Sequence, residues 1–141
     1  MRALVIGCGR VGSAVAKALA TDGWDVTVID ENEDALARLG AGWRDGFVVG
    51  HGMDTTVLES AGVAEVDAAV VATDGDNTNI VIGQVLQKRY EITTVVVRVL
   101  DPARAQFFAE RGMRTVCPTQ TAIAALLDTV RATAPQPNAA S

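Results

Sequence analysis

Aromatic residues are scarce in this chain: two Trp, one Tyr and three Phe make up 4% of its 141 residues. A core poor in rings must be filled by aliphatic side chains, and the hydrophobic fraction of 49% is mostly Val and Ala. That composition suits buried parallel strands covered by helices. Cysteine and histidine are scarcer still. Cys8, Cys117 and His51 are all there is, too few for a disulfide framework or a Cys/His metal cluster. Both cysteines are expected as small fillers of the core. Positive charge is also in deficit, with a net charge of -5, which argues against nucleic acid as a partner, because a phosphate backbone calls for a basic face. No apolar run approaches the ~20 residues of a membrane helix, and the N-terminus lacks the layout of a secretion signal. The expected compartment is the cytoplasm. Nothing in the order of residues assembles a Ser/His/Asp set, an activated thiol or a metal-ligand group, so neither catalytic residues nor a metal are expected.

What the chain does have stands at its start. Leu4-Val5-Ile6 runs into Gly7-Cys8-Gly9-Arg10-Val11-Gly12, an apolar run ending in Gly-x-Gly-x-x-Gly and passing straight into a helical pattern. In that context the spacing is the dinucleotide-binding fingerprint. Gly7 makes the tight turn, Gly9 lets the backbone approach a pyrophosphate, and Gly12 lets the helix pack close on the strand. Asp30 closes the next strand-like run at the ~20-residue distance where an acid receives ribose hydroxyls.

Strands are expected at Ala3 to Ile6, Asp25 to Asp30, Gly46 to Gly50, Asp67 to Thr73, Thr93 to Val99 and Arg114 to Cys117. The fourth, nearly all apolar, is expected to be buried on both faces. Between them lie helical stretches. The first carries Val11, Ala14, Val15, Ala18 and Leu19 at i, i+3, i+4, i+7, i+8 spacing. Others start at Asn32, Asp54, about Thr78, and Asp101-Pro102. A last helix, capped by Thr119, carries Ile123, Leu126, Leu127 and Val130. Strands alternating with helices imply a Rossmann-like doubly wound α/β fold, a six-stranded parallel sheet of order 3-2-1-4-5-6 plus a C-terminal helix. In that order the first and sixth strands are roughly 14 Å apart, beyond the ~7 Å reach of a disulfide, so Cys8 and Cys117 should stay unpaired. The expected divisions are a nucleotide-binding domain over 1–118, a docking or dimer helix over 119–134, and a disordered tail over 135–141.

In such a sheet ligands bind at the carboxyl ends of the strands, where strands one and four diverge. Gly7 to Gly12 would hold phosphates and Asp30 a ribose. Because Glu31 follows Asp30 and no arginine stands beside it, NAD fits better than NADP. Arg10 opens a helix against the dipole, and phosphate oxygens would compensate it; otherwise it points into solvent. Arg98 interrupts Val95-Val96-Val97 and Val99, and must either meet a ligand phosphate or pair with Asp74 or Asp76. Thr73 and Asp74 would reach the second half of a dinucleotide. Asp54 reads as a helix cap, and a lone loop histidine such as His51 is more often a bystander than a catalyst.

Gly7-x-Gly9-Arg10-Val11-Gly12, Asp30, Gly50-x-Gly52-x-Asp54 with Leu58 and Ala61-Gly62, Asp67-Ala68 through Thr73-Asp74-x-Asp76-x-x-Asn79, and Val97-Arg98-Val99-x-Asp101-Pro102 occur in that order. Together they resemble the TrkA-type nucleotide-binding domain, also called the RCK or KTN domain, of potassium uptake systems, over about residues 1 to 130. One departure is Gly50-His51-Gly52, where the family often has Gly-Asp and a small residue; another is the lack of the C-terminal ligand-binding domain that many members carry, with a second RCK-type subunit left open as the partner that replaces it. The resemblance implies a cytoplasmic regulatory subunit, peripheral at the inner face of the membrane, gating an integral-membrane potassium transporter. It implies NAD or NADH as ligand, with ATP or ADP as the alternative, contacted by Gly7, Cys8, Gly9, Arg10, Val11, Gly12, Asp30, His51, Thr73, Asp74 and Arg98. It implies a homodimer or larger ring. The competing class is an NAD-dependent oxidoreductase lacking its substrate domain; such enzymes usually take a proton donor from that second domain.

Overall fold

The computed structural model describes residues 1–137, so the last part of the tail expected to be disordered, 138–141, lies outside the described residues; 135–137 are exposed and without regular structure. Six strands, β1 (Arg2–Ile6), β2 (Asp25–Asp30), β3 (Gly46–Val49), β4 (Ala68–Val71), β5 (Thr94–Arg98) and β6 (Arg114–Val116), form one sheet of order β3-β2-β1-β4-β5-β6. All pairings are parallel, with Ile6 opposite Ile29 on one side and Val71 on the other. The helices are α1 (Arg10–Thr21), α2 (Thr55–Ser60), α3 (Asp76–Lys88), α4 (Pro102–Ala109) and α5 (Pro118–Thr133). None of the described helices is long and apolar enough to cross a membrane.

Alternation along β1 divides the core. Leu4 and Ile6 join Leu58, Val71, Ile82, Leu86, Val95 and Val97 on one face, while Ala3 and Val5 join Cys8, Ala16, Val26, Val28, Ala35 and Leu39 on the other. Each fully buried Leu or Ile contributes roughly 1.5–3 kcal/mol. On the second face α1 lies close to the sheet, at Gly12. Its buried residues are Gly12, Ser13 and Ala16, whereas Val11, Ala14 and Ala18 of the expected stripe are exposed and Val15 and Leu19 half-buried. The helix is turned by about one residue, some 100°, from the orientation its apolar spacing suggests. Close approach decides the matter, since only the smallest side chains fit beneath.

Other expectations shift at their edges. The segment after Asn32 is a 3-10 helix, Glu33–Leu39, with the Asn32 side chain accepting from the Asp34 N–H. A further short 3-10 turn spans Val63–Glu65. β4 is shorter than expected and not buried throughout, with Ala69 and Val71 buried but Ala68 and Val70 half-buried. α3 begins two residues early, at Asp76. The cap of α5 is Cys117 and not Thr119: its Sγ accepts from the Gln120 N–H at 3.5 Å. Cys117 is therefore a half-buried cap that also packs against the edge of the core, whereas Cys8 is fully buried; neither is in a disulfide. α5 buries none of its residues, and Ile123, Leu126, Leu127 and Val130 all face solvent.

Candidate functional site

A cleft of about 750 Å³ opens along the carboxyl edge of the sheet, within the roughly 300–1,000 Å³ of small-molecule sites. The carboxyl ends of β1 to β5 contribute to it. Gly7, Gly9, Arg10 and Val11 come from the end of β1, and Asp30, Glu31 and Asn32 with Ala35 and Arg38 from the end of β2. Gly50, His51 and Gly52 follow β3, and Ala72, Thr73, Asp74 and Gly75 follow β4; Arg98 ends β5. Of the nucleotide contacts expected from the sequence, Cys8 and Gly12 stay behind the lining. Arg38 is the charged lining residue that sequence reasoning passed over, so an arginine does stand on the wall that Asp30 shares. It is eight positions downstream, and the 3-10 turn brings it back.

The glycine loop is shaped by two contacts with the protein and one opening. Gly7 has φ +101°, and a Cβ there would also meet the Ala72 carbonyl oxygen at 2.4 Å. A Cβ on Gly12 would sit 1.7 Å from the Gly7 oxygen. A Cβ on Gly9 would have no neighbour within 4 Å. The protein's own packing thus requires glycine at Gly7 and Gly12. Gly9 lines the cleft and the space beside it is open, as a bound phosphate would need.

Helix ends follow the same division. α2 and α4 are capped by the carboxylates of Asp54 and Asp101, and α5 by Cys117. α1 and α3, whose N-termini line the cleft, start from Gly9 and Gly75 without any side-chain cap. Their first-turn N–H groups are left for solvent or a ligand, at the positive end of the helix dipole. Arg10 stands at the α1 end, exposed, and no ion pair or side-chain hydrogen bond holds it among the described residues.

Asp30 reaches across to the glycine loop. Its Oδ2 accepts from the Cys8 N–H at 2.7 Å and its Oδ1 from the Asn32 N–H at 2.8 Å. A carboxylate has about four acceptor sites, so capacity remains for hydroxyl donors from the cleft. Arg38 Nη1 donates to the Cys8 carbonyl at 3.1 Å, so the main chain of Cys8 is held at both its N–H and its carbonyl. The Cys8 thiol donates to the Ala35 carbonyl at 3.3 Å. Burial, and then the neighbouring charge of Asp30, push its pKa up, which keeps it a thiol. At the mouth, His51 Nδ1 accepts from the Met53 N–H at 3.0 Å, leaving Nε2 3.3 Å from Glu31 Oε1. That contact links the loops after β2 and β3. Asp54 is the helix cap its position suggested, accepting from the Thr56 N–H.

Arg98 pairs with neither Asp74 nor Asp76. Its Nη2 donates to the Thr73 carbonyl at 2.7 Å, and its Nε is buried with no partner among the described residues. Asp76 is engaged elsewhere, accepting from the N–H groups of Leu100 and Asp101 at 2.7 and 3.0 Å. The carboxylate alternative for Arg98 is thereby corrected: a backbone carbonyl seats it. A second residue that sequence reasoning quoted without a role, Asn79, is buried beneath the same carbonyl.

Comparison with known proteins agrees with this architecture. The family model described as the TrkA-N domain matches residues 3–119. The Trk system potassium uptake protein TrkA of Streptomyces coelicolor is 38% identical over 116 residues, covering 82% of this chain and 52% of the relative. The chain thus spans about half the length of that curated relative. Among solved structures, the Kef CTD of Shewanella denitrificans in AMP-bound form superposes with a TM-score of 0.79 at 18% identity, over 96% of this chain and 84% of the other. The GsuK channel bound to NAD does so at 0.75 and 22%, over 92% and 23%. A match over most of the chain, with a cleft at the expected edge of a 3-2-1-4-5-6 sheet, places the protein in the TrkA-N domain family.

Proposed function

We propose that this chain is the nucleotide-binding unit of a potassium uptake system, a cytoplasmic regulator at the inner face of the membrane that reports nucleotide state to a transporter subunit. The ligand is NAD(H) or an adenine nucleotide. The observation that carries the reading is Gly9, a glycine that no protein atom demands, at the uncapped start of α1. In this reading Gly7 to Gly12 wrap the phosphates, with Cys8 and Gly12 shaping the loop from behind. Asp30 receives the adenosine ribose, Arg10 and Arg98 meet phosphate charge, and His51, Thr73 and Asp74 line the remaining walls. Solved relatives of the same fold carry AMP and NAD, which supports this ligand class. The nucleotide acts as a signal: it shifts the protein between conformations only by as much as it binds one better than the other.

α5 is the element that passes the signal on. A 16-residue helix with no buried residue is marginal in water by itself, and its row of Ile123, Leu126, Leu127 and Val130 calls for cover. A second copy of the chain supplies it, giving a homodimer that can extend to a ring or pair with a second RCK-type subunit.

The test of the site is thermal unfolding with AMP, ADP, ATP, NAD and NADH. Ligand bound to the native state at 100 times its Kd stabilises by about 2.7 kcal/mol. Wild-type protein is expected to show a raised melting temperature with at least one nucleotide, and Gly9→Ala is expected to melt near wild type without ligand yet lose the response. An unresponsive wild type, or a Gly9→Ala variant that responds fully, would refute the assignment.

A further inference from the structure

We infer that Asn79 is a positioning residue, holding Arg98 in place for the nucleotide site. The ladder between β4 and β5 ends with Val71 opposite Val97, and beyond it the Thr73 peptide lies outside either strand. Asn79, on α3 and 1% exposed, fills the role of a missing strand. Its Oδ1 accepts from the Thr73 N–H at 2.9 Å and from the Thr73 hydroxyl. Its Nδ2 donates to the Thr73 carbonyl and to the Arg98 carbonyl, both at 3.0 Å.

All four bonding positions of the amide are thus used, and they tie the end of β4 to the end of β5. A buried polar group so fully satisfied specifies one arrangement, and a half-satisfied one costs stability. The arrangement specified is the seat of Arg98. The Thr73 carbonyl accepts from Asn79 Nδ2 and from Arg98 Nη2 at once, so the amide holds both the main chain of Arg98 and the oxygen on which its guanidinium rests. Among the described residues, the hydrogen bonds to the Thr73 peptide come from Asn79 and Arg98 alone. Arg98 lines the cleft; Asn79 does not. Asn79 therefore acts on a ligand only through its neighbours.

The inference rests on the proposed nucleotide site, and two readouts separate the two claims. The first is a double-mutant cycle on ADP and NAD affinity measured by calorimetry. A charge-assisted contact to phosphate is worth roughly tenfold or more. Arg98→Ala and Asn79→Ser are each expected to weaken binding by about that factor, and the double variant to be no weaker than Arg98→Ala alone. Losses that multiply in the double variant would overturn the inference.

The second readout is the Arg98 Nε–H resonance of nucleotide-free protein, labelled with ¹⁵N-arginine. It is expected to be protected from exchange in wild type and to lose that protection in Asn79→Ser. An unchanged resonance in the folded variant would overturn the inference. Should Asn79→Ser not fold, Thr73→Val removes one of the four bonds to the amide and is read by the same resonance, expected to exchange faster than in wild type. A wild type that binds no nucleotide while the resonance behaves as stated would remove the proposed function and keep Asn79 as the seat of Arg98.

Discussion

Three glycines within one turn answer to different neighbours, and substitution separates them. Gly12→Ala would drive a methyl group to 1.7 Å from the Gly7 carbonyl oxygen, where neither backbone can yield. Overpacking of this kind costs about 3 kcal/mol or more. Urea unfolding of Gly12→Ala is expected to show that loss or no folded state at all; a midpoint equal to wild type would mean that α1 does not lie where described. Asp30 calls for more care. Because it accepts from the Cys8 and Asn32 amides, Asp30→Ala would disturb the glycine loop as well as remove the proposed ribose acceptor, so loss of binding in that variant would not isolate the ribose contact. Cys8 gives a dependence on pH with a definite sign. Its native pKa is raised above the ordinary thiol value of 9.0 by burial and by Asp30, so the unfolded chain gives up the proton first. The thiol's contribution is complete below pH 9.0 and is lost as pH rises through the higher native value. The stability difference between wild type and Cys8→Ala should therefore narrow above pH 9.0, and a difference constant to pH 10.5 would count against the buried thiol.

At the scale of elements, the strands were legible and the faces of the helices less so. β2 was placed residue for residue because Asp25 to Asp30 alternates and ends in an acid, and the strand order followed from the fingerprint and its α/β alternation. The buried face of α1 was not, because a stripe of Val and Leu looks more like a core face than Gly12, Ser13 and Ala16 do. Only the proximity of β1, set by Gly12 against Gly7, reverses that preference. Most of the candidate site was legible for the reason the strands were: a residue at the carboxyl end of a strand is placed by the strand. What escaped depended on side-chain reach. Arg38 returns to the Cys8 carbonyl through a 3-10 turn, and Arg98 chooses a carbonyl over the nearby acids. α5 presents the opposite case, an apolar stripe that was legible and that the described structure leaves uncovered. With no buried residue to lose, Leu126→Asp combined with Leu127→Asp should change the stability of the isolated domain by no more than ~0.5 kcal/mol. Sedimentation should show wild type as a dimer or larger and this variant as a monomer. A wild type that sediments as a monomer at high concentration would remove α5 from the proposed assembly.

The whole molecule joins these two ends. The cleft proposed to take a nucleotide lies at the carboxyl edge of the central strands, and α5 leaves the sheet from β6 through Cys117, whose thiol also donates to the Leu100 carbonyl at 3.5 Å. Asp76 holds the Leu100 and Asp101 amides from the first turn of α3, whose N-cap Gly75 lines the cleft. A continuous set of contacts therefore runs from the cleft wall to the base of α5. If nucleotide binding and pairing through α5 are coupled, each must change the other by the same factor. Couplings of this kind are roughly 5- to 150-fold. The expected outcome is that ADP and NAD shift the dimer dissociation constant, measured by sedimentation at saturating nucleotide. The Leu126→Asp, Leu127→Asp monomer should then bind the same nucleotides with an affinity changed by the matching factor. Equal affinity in dimer and monomer would mean that the cleft and α5 do not communicate. In that event the nucleotide signal would have to leave the domain by another surface.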